Sequence, residues 1–477
     1  MIAALEILLI FGAVGVFASA KSFQPAMVGG VFLMVVALLI HWGRRGRPLS
    51  ATRLDWPFIL LLGSGVISLW ASYDVWASLA KFCLLLGGIL LFYLLTQATL
   101  QIRLSIAASV VAFTVLFSIF FVTQQNEFLE SGTGSKFPVF ADIGLLINRV
   151  SPQFDLYQFH PNVAAGILEV GLVLGVGLFL LVRQLAKQSD AGYFRLVPPL
   201  LVGTLAIIAI GLIITGSRGA WLATGLVGLG WFLSEVRRAS RLRVFDTLAI
   251  VIIIGSLLAL LMAEIGSPIA LAAGTGEAAS SGSRLTIYQG ANQLVRDYIF
   301  TGGGLATFPL HYSTYVLGIE VVQQNHAHNL YLSVWLEQGL LGFVALLWLI
   351  YSTITGYVNW QKREVIQHRE NPLNERFLGA ASFWATSVIF IHGLIDSAHY
   401  NSRFLPLLFI SLGVGTYLHH WPGRRRKKSS RRKIDVERWI RSHRVGLIVG
   451  ILLLVPIIVV GQAPLRAAWY ANLGAVA

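Results

Sequence analysis

The chain has 477 residues, of which 56% are hydrophobic and 12% charged, and its mean hydropathy is +0.72. Soluble domains carry about 25% charged residues, so this composition excludes a water-soluble globular chain. The formal net charge of +14 raises nucleic acid as a partner, and the positions of the cations argue instead for a membrane.

Thirteen apolar segments follow one another, at 2–20, 24–42, 57–72, 80–97, 104–123, 161–183, 196–215, 219–235, 246–264, 329–358, 377–395, 404–420 and 445–462. Such segments are suited to crossing about 30 Å of hydrocarbon as helices. The alternation of a barrel strand is absent, and backbone groups in lipid must otherwise be satisfied within helices. The predicted class is an all-α polytopic membrane protein with about 12–13 transmembrane helices. The third and eighth segments are short. The tenth is long and contains Gly339 and Gly342, which predict a tilt or a break.

The first segment ends in Ala18-Ser19-Ala20, which resembles a processing site, but no positive region precedes it and an uncleaved helix is expected. Cys83 is the only cysteine, so the chain has no internal disulfide. We divide the chain into amino-terminal helices (1–160) and a catalytic membrane region (161–420) with an outer loop at 265–328. A basic segment (421–444) follows, then a last helix with an outer tail (445–477).

Cytoplasmic loops of membrane proteins are enriched in Lys and Arg. With the amino terminus inside, most of the 36 cations fall on inner loops, including Arg44, Arg45, Arg47, Arg103, Arg183, Arg237, Arg238, Lys362 and Arg376. The run 424–433, RRRKKSSRRK, is then an anchor beside anionic lipid rather than a nucleic-acid surface.

The outer side holds the polar residues that could carry chemistry. Arg218 lies in a glycine-flanked turn, TGSRGAW (215–221). It either snorkels to headgroups or presents its fork to phosphate oxygens. Arg284 follows a Ser-Gly run, where Ser283 is a plausible N-cap for an amphipathic helix with Tyr288, Ala291, Val295 and Tyr298 on one face. A cation in a first helical turn opposes the helix dipole, which an anionic ligand would explain.

NHAHNLYL (325–332) brings His326, His328 and Asn329 to the start of span ten. Histidines two apart do not share a helix face, and no carboxylate is adjacent in sequence, so no metal site is expected. A helix amino terminus and nearby arginines favour a neutral imidazole able to take a proton. Satisfied structural histidines are the plain alternative. TGGGLATF (301–308) reads as a fold-back turn rather than a phosphate cradle. His160, Pro161 and Asn162 open span six, and Asp396 and Arg403 flank a further outer turn.

These residues describe an extracytoplasmic site with two arginines for a polyanion and a histidine for a hydroxyl proton. Phosphate bound beside lipid points to a polyprenyl-pyrophosphate donor. The segments HPNVAAGIL (160–168), TGSRGAW, GSRLTIYQGANQLVRDYIFTGGGLATF (282–308), HAHNLYLSVWLEQGLLG (326–342) and HGLIDS (392–397) resemble the O-antigen ligase and polymerase superfamily of bacterial inner-membrane enzymes. The resemblance implies a GT-C-like fold and metal-independent, cofactor-free glycan transfer from undecaprenyl pyrophosphate. Arg218 and Arg284 would bind the donor pyrophosphate, with Asn162 and Asn329 as further substrate-binding candidates. His328 would be the general base and His326 an accessory. The acceptor would be a glycan, a lipid or a protein. A transporter of anionic solutes is the competing class, disfavoured because the notable groups lie at the outer boundary and no repeat is evident.

Overall fold

The computed structural model describes residues 12–13, 24–45, 51–123, 160–186, 197–238, 276–315, 326–366 and 373–415. Twelve helices are described: α1 (Gln24–Arg45), α2 (Asp55–Trp70), α3 (Val75–Gln97), α4 (Leu100–Thr123), α5 (Pro161–Ala186) and α6 (Val197–Ile214). They continue with α7 (Arg218–Arg238), α8 (Gly276–Asp297), α9 (Phe308–Tyr315), α10 (Leu330–Ile366), α11 (Leu373–His392) and α12 (Pro406–Val414). No strand occurs among the described residues. The spans expected at 2–20 (residues 12–13 apart), 246–264 and 445–462, and the basic run 424–433, lie outside them.

Five of these helices, α3, α4, α5, α6 and α10, are long and apolar enough to cross a membrane. The protein is all-α and polytopic. α5 packs against α4, α6 and α11, while α3 packs against α1, α2 and α12, and α10 runs along α2. One core joins them, with Phe58, Phe92 and Phe409 fully buried at the α2–α3–α12 junction. Arg103, expected on an inner loop, lies in the first turn of α4 and is buried. Its guanidinium donates to the Val414 carbonyl at 2.9 Å, filling an orphan acceptor at the end of α12.

The expected break in the tenth span is at Gly339, whose φ of 66° and ψ of −167° interrupt α10. Carbonyls freed by the break need donors. The triple glycine supplies them: Gly303 N–H donates to Leu336 O at 2.8 Å and Gly304 N–H to Glu337 O at 3.3 Å. In return, Leu340 N–H donates to Ile299 O at 2.7 Å. A Cβ on Gly339 would fall 2.1 Å from Phe300 O, so only glycine permits this approach. TGGG is therefore the fold-back turn that clamps the segment after α8 onto α10.

α8 begins at Gly276 and not at an N-cap Ser283. Arg284 accordingly stands in the third turn, where the unfavourable helix-dipole argument no longer applies. The apolar face of the amphipathic helix α8 is covered. Ile287, Ala291, Leu294 and Val295 pack with Phe308, Tyr312 and Leu336 into a second, smaller core between α8, α9 and α10.

Candidate functional site

Helix amino termini gather around one turn. The start of α10 carries His326 and His328, the start of α5 carries Asn162, and the start of α7 carries Arg218. All face the turn that follows α11, which carries Asp396.

Asp396 is 3% exposed. Its Oδ2 accepts from Asn162 Nδ2 at 2.6 Å and lies 3.1 Å from His328 Nδ1. Burial raises a carboxyl pKa, but the His328 hydrogen bond and the surrounding imidazoles outweigh it and hold Asp396 far below the usual carboxylate range. An ionised carboxylate only accepts, so His328 carries its proton on Nδ1. Its Nε2 lone pair is then available, on a side chain that is 19% exposed.

The backbone of His328 has φ 48°, rare for a side-chain-bearing residue and costly. Three contacts hold it there. His328 N–H donates to His326 Nδ1 at 3.2 Å, the Tyr288 hydroxyl donates to His328 O at 2.9 Å, and Leu330 N–H donates to Gly393 O at 2.7 Å. The Tyr288 bond also brings α8 to the histidine. Arg284 stands one turn before Tyr288 in α8.

His326 Nδ1 also meets Ser397 Oγ at 3.3 Å, and its ring stands 4.1 Å from that of His328 between centroids. Burial, more than the neighbouring cations, pushes its imidazole down to about 4. It is neutral at physiological pH and a weaker base than an ordinary histidine.

Asn329 caps α10: its Oδ1 accepts from Leu332 N–H at 3.0 Å while its Nδ2 donates to Leu394 O at 2.9 Å. Both ends of the amide serve the fold. Asn162 likewise spends its Nδ2 on Asp396. Arg218 follows Gly216 (φ 61°) and opens α7. A Cβ on the next residue, Gly219, would lie 3.1 Å from Ile395 Cγ2, which shows how closely this turn abuts the one bearing Asp396.

The expectation of no metal rested on the absence of a carboxylate beside the histidines, and that premise is corrected. His326, His328 and Asp396 each offer a ligand atom within 4.8 Å of the others. Asp396 Oδ1 is buried with no hydrogen-bond partner among the described residues.

Residues 203–347 match the family model described as O-Antigen ligase. The match supports the O-antigen ligase and polymerase superfamily. It spans α6 through the first half of α10, including Arg218, Arg284, His326 and His328, while Asn162 and Asp396 lie outside it. No curated protein matches the chain. With the apolar helices, the match supports a multi-pass membrane enzyme of O-antigen ligase or polymerase type.

Sequence reading missed a set of ionisable groups inside the spans. Lys81 in α3 pairs with Glu337 in α10 at 2.7 Å. Glu169 in α5 meets His392 Nδ1, at the end of α11, at 2.9 Å. Their signal was plain: a charge within an apolar span is expensive and marks a role.

Proposed function

We propose that the protein transfers a glycan from an undecaprenyl-pyrophosphate donor to an acceptor hydroxyl on the extracytoplasmic side of a bacterial inner membrane. The acceptor hydroxyl approaches His328 Nε2 and gives up its proton there as its oxygen attacks the anomeric carbon. A new glycosidic C–O bond forms while the bond from that carbon to the pyrophosphate oxygen breaks. The electron pair departs with undecaprenyl pyrophosphate, and attack opposite the leaving group inverts the centre. Asp396 stabilises the imidazolium, which then returns its proton to water. Arg218, Arg284 and the helix amino termini around the Asp396 turn bind the pyrophosphate and the charge it gains.

The observation that carries this reading is the 3.1 Å contact between His328 Nδ1 and Asp396 Oδ2, which leaves Nε2 to act as a base. Ligase, polymerase and protein O-oligosaccharyltransferase chemistry share this step and differ in acceptor. A second reading, a divalent cation held by His326, His328 and Asp396, is favoured by the proximity of their ligand atoms. The proposed step itself uses no metal, since His328 Nδ1 donates to Asp396 and leaves Nε2 to take the proton.

The test is transfer from a synthetic undecaprenyl-pyrophosphate oligosaccharide to glycan, lipid and peptide acceptors, with and without chelator, by wild type and His328→Ala. Chelator-resistant transfer that falls about 10²–10⁴-fold in the variant supports the base assignment. Chelator sensitivity reversed by a divalent cation would favour the metal reading. Solute flux requiring His328, without transfer to any acceptor, would replace both with transport.

A further inference from the structure

Beneath the site, a buried charge is wired to His326. Lys81 Nζ, on a 7% exposed residue two turns into α3, is held by Glu337 and lies 3.7 Å from the centre of the Tyr400 ring, a setting that suits an ammonium. It also donates to Asn401 Oδ1 at 2.6 Å. An ammonium has no acceptor, so it dictates which end of the Asn401 amide faces it. The opposite end, Nδ2, therefore donates to Ser397 Oγ at 2.7 Å. The Ser397 hydroxyl keeps its own proton to give, and His326 Nδ1 lies 3.3 Å away. The His328 backbone N–H, which can only donate, converges on the same nitrogen at 3.2 Å. Every hydrogen bond from Lys81 outward runs in one direction.

We propose that the Lys81–Asn401–Ser397 chain, with the His328 amide, holds His326 as its Nε2–H tautomer, a neutral hydrogen-bond donor to a substrate oxygen beside the base. His326 and His328 are thereby opposites. The Asp396 carboxylate keeps the proton of His328 on Nδ1 and frees Nε2 to accept. The Lys81 chain empties Nδ1 of His326 and leaves Nε2–H to donate. Two adjacent imidazoles with opposite tautomers match a reaction in which one oxygen loses a proton while another gains negative charge. The oxygen that His326 serves is the one gaining charge, on the departing pyrophosphate. Lys81, Asn401 and Ser397 are positioning residues that act through His326.

The substrate part of this inference rests on the transfer reading, whereas the tautomer does not. The experiment is therefore in two parts on the full chain in lipid nanodiscs. In the first, ¹⁵N-histidine spectra of wild type, Ser397→Ala and Asn401→Asp are compared, with His326 assigned by its loss in His326→Gln. Wild type is expected to show an unprotonated, hydrogen-bonded Nδ1 at His326. In both other variants that resonance moves, because Ser397→Ala removes the donor and an aspartate at 401 can only accept from Ser397. A protonated Nδ1 in wild type, or an Nδ1 signal unmoved in both variants, would overturn the chain.

In the second part, transfer is measured for His326→Gln, which keeps an N–H donor, and His326→Phe, which does not. A donor role predicts that Gln stays within about tenfold of wild type while Phe falls about 10²–10³-fold. Equal losses would overturn the donor role with the tautomer intact. Absence of transfer in wild type would count against the transfer reading, leaving the spectra to decide the tautomer.

Discussion

His328 and Asp396, 68 residues apart in the chain, meet through Nδ1 and Oδ2 at 3.1 Å. A carboxylate in that position orients an imidazole, sets its tautomer and stabilises the cation formed when it takes a proton. Asp396→Asn would keep the shape and remove the charge. We expect the turnover of glycan transfer to fall by about 10²–10⁴-fold with donor KM little changed. A fall in donor affinity instead, at unchanged turnover, would move Asp396 from orienting the base to binding substrate.

Arginine at 218 and 284 offers phosphate a planar fork that lysine lacks. Arg218→Ala and Arg284→Ala should raise donor KM or lower kcat/KM, and Lys should rescue each only in part. Titration with donors bearing one or two phosphates is the check. Equal use of both donors by wild type and variants would remove the pyrophosphate assignment.

Asn329 has two expected roles, and its geometry separates them. As the N-cap of α10, its replacement by alanine should cost about 1 kcal/mol of stability, lower the thermal midpoint and leave donor KM unchanged. A donor KM that rises without loss of stability would instead favour the substrate-binding role expected from sequence.

Gly339 is constrained twice, by a positive φ and by Phe300 O. Gly339→Ala should cost on the order of 1–3 kcal/mol locally and loosen the segment after α8 from α10. Hydrogen exchange at the amides of Gly303, Gly304 and Leu340 would accelerate, and transfer would fall because α8 and His328 lose their common support. Unchanged exchange at those three amides would contradict the clamp.

The depressed pKa of His326 has a signed consequence. The folded state holds this ring neutral down to about pH 4, whereas the unfolded chain protonates it near 6.5. Between these values the unfolded state binds more protons, so stability falls as pH drops from about 6.5 to 4, by on the order of 3 kcal/mol. The thermal midpoint of wild type should decline across that window. His326→Gln should flatten the decline, and an identical slope in both would show that another group is responsible.

How much of this was legible beforehand follows from the range of the forces involved. The apolar segments alone dictated helices, because a backbone in lipid has no other partner than itself. Gly339 and Gly342 marked where α10 could tilt or break and TGGG read as a fold-back turn, both local consequences of glycine backbone freedom, whereas their meeting needed the fold. Asn329 and Asn162 were visible as polar groups at helix starts, but only the fold reveals that their amides bond Leu332, Leu394 and Asp396. Asp396 was noticed as ordinary, and its partnership with His328 was invisible. Lys81, Glu337, Glu169 and His392 passed unnoticed although they interrupt apolar runs, and sequence could not have paired them.

By itself, then, the sequence determined that the protein is helical and membrane-embedded, and that α10 carries glycines at which it could tilt or break. Only the tertiary structure decided which nitrogen of each histidine carries the proton. That choice depends on donors and acceptors brought by α3, α5 and the turn after α11, tens to hundreds of residues away, and hydrogen-bond direction has no periodicity for a sequence to display.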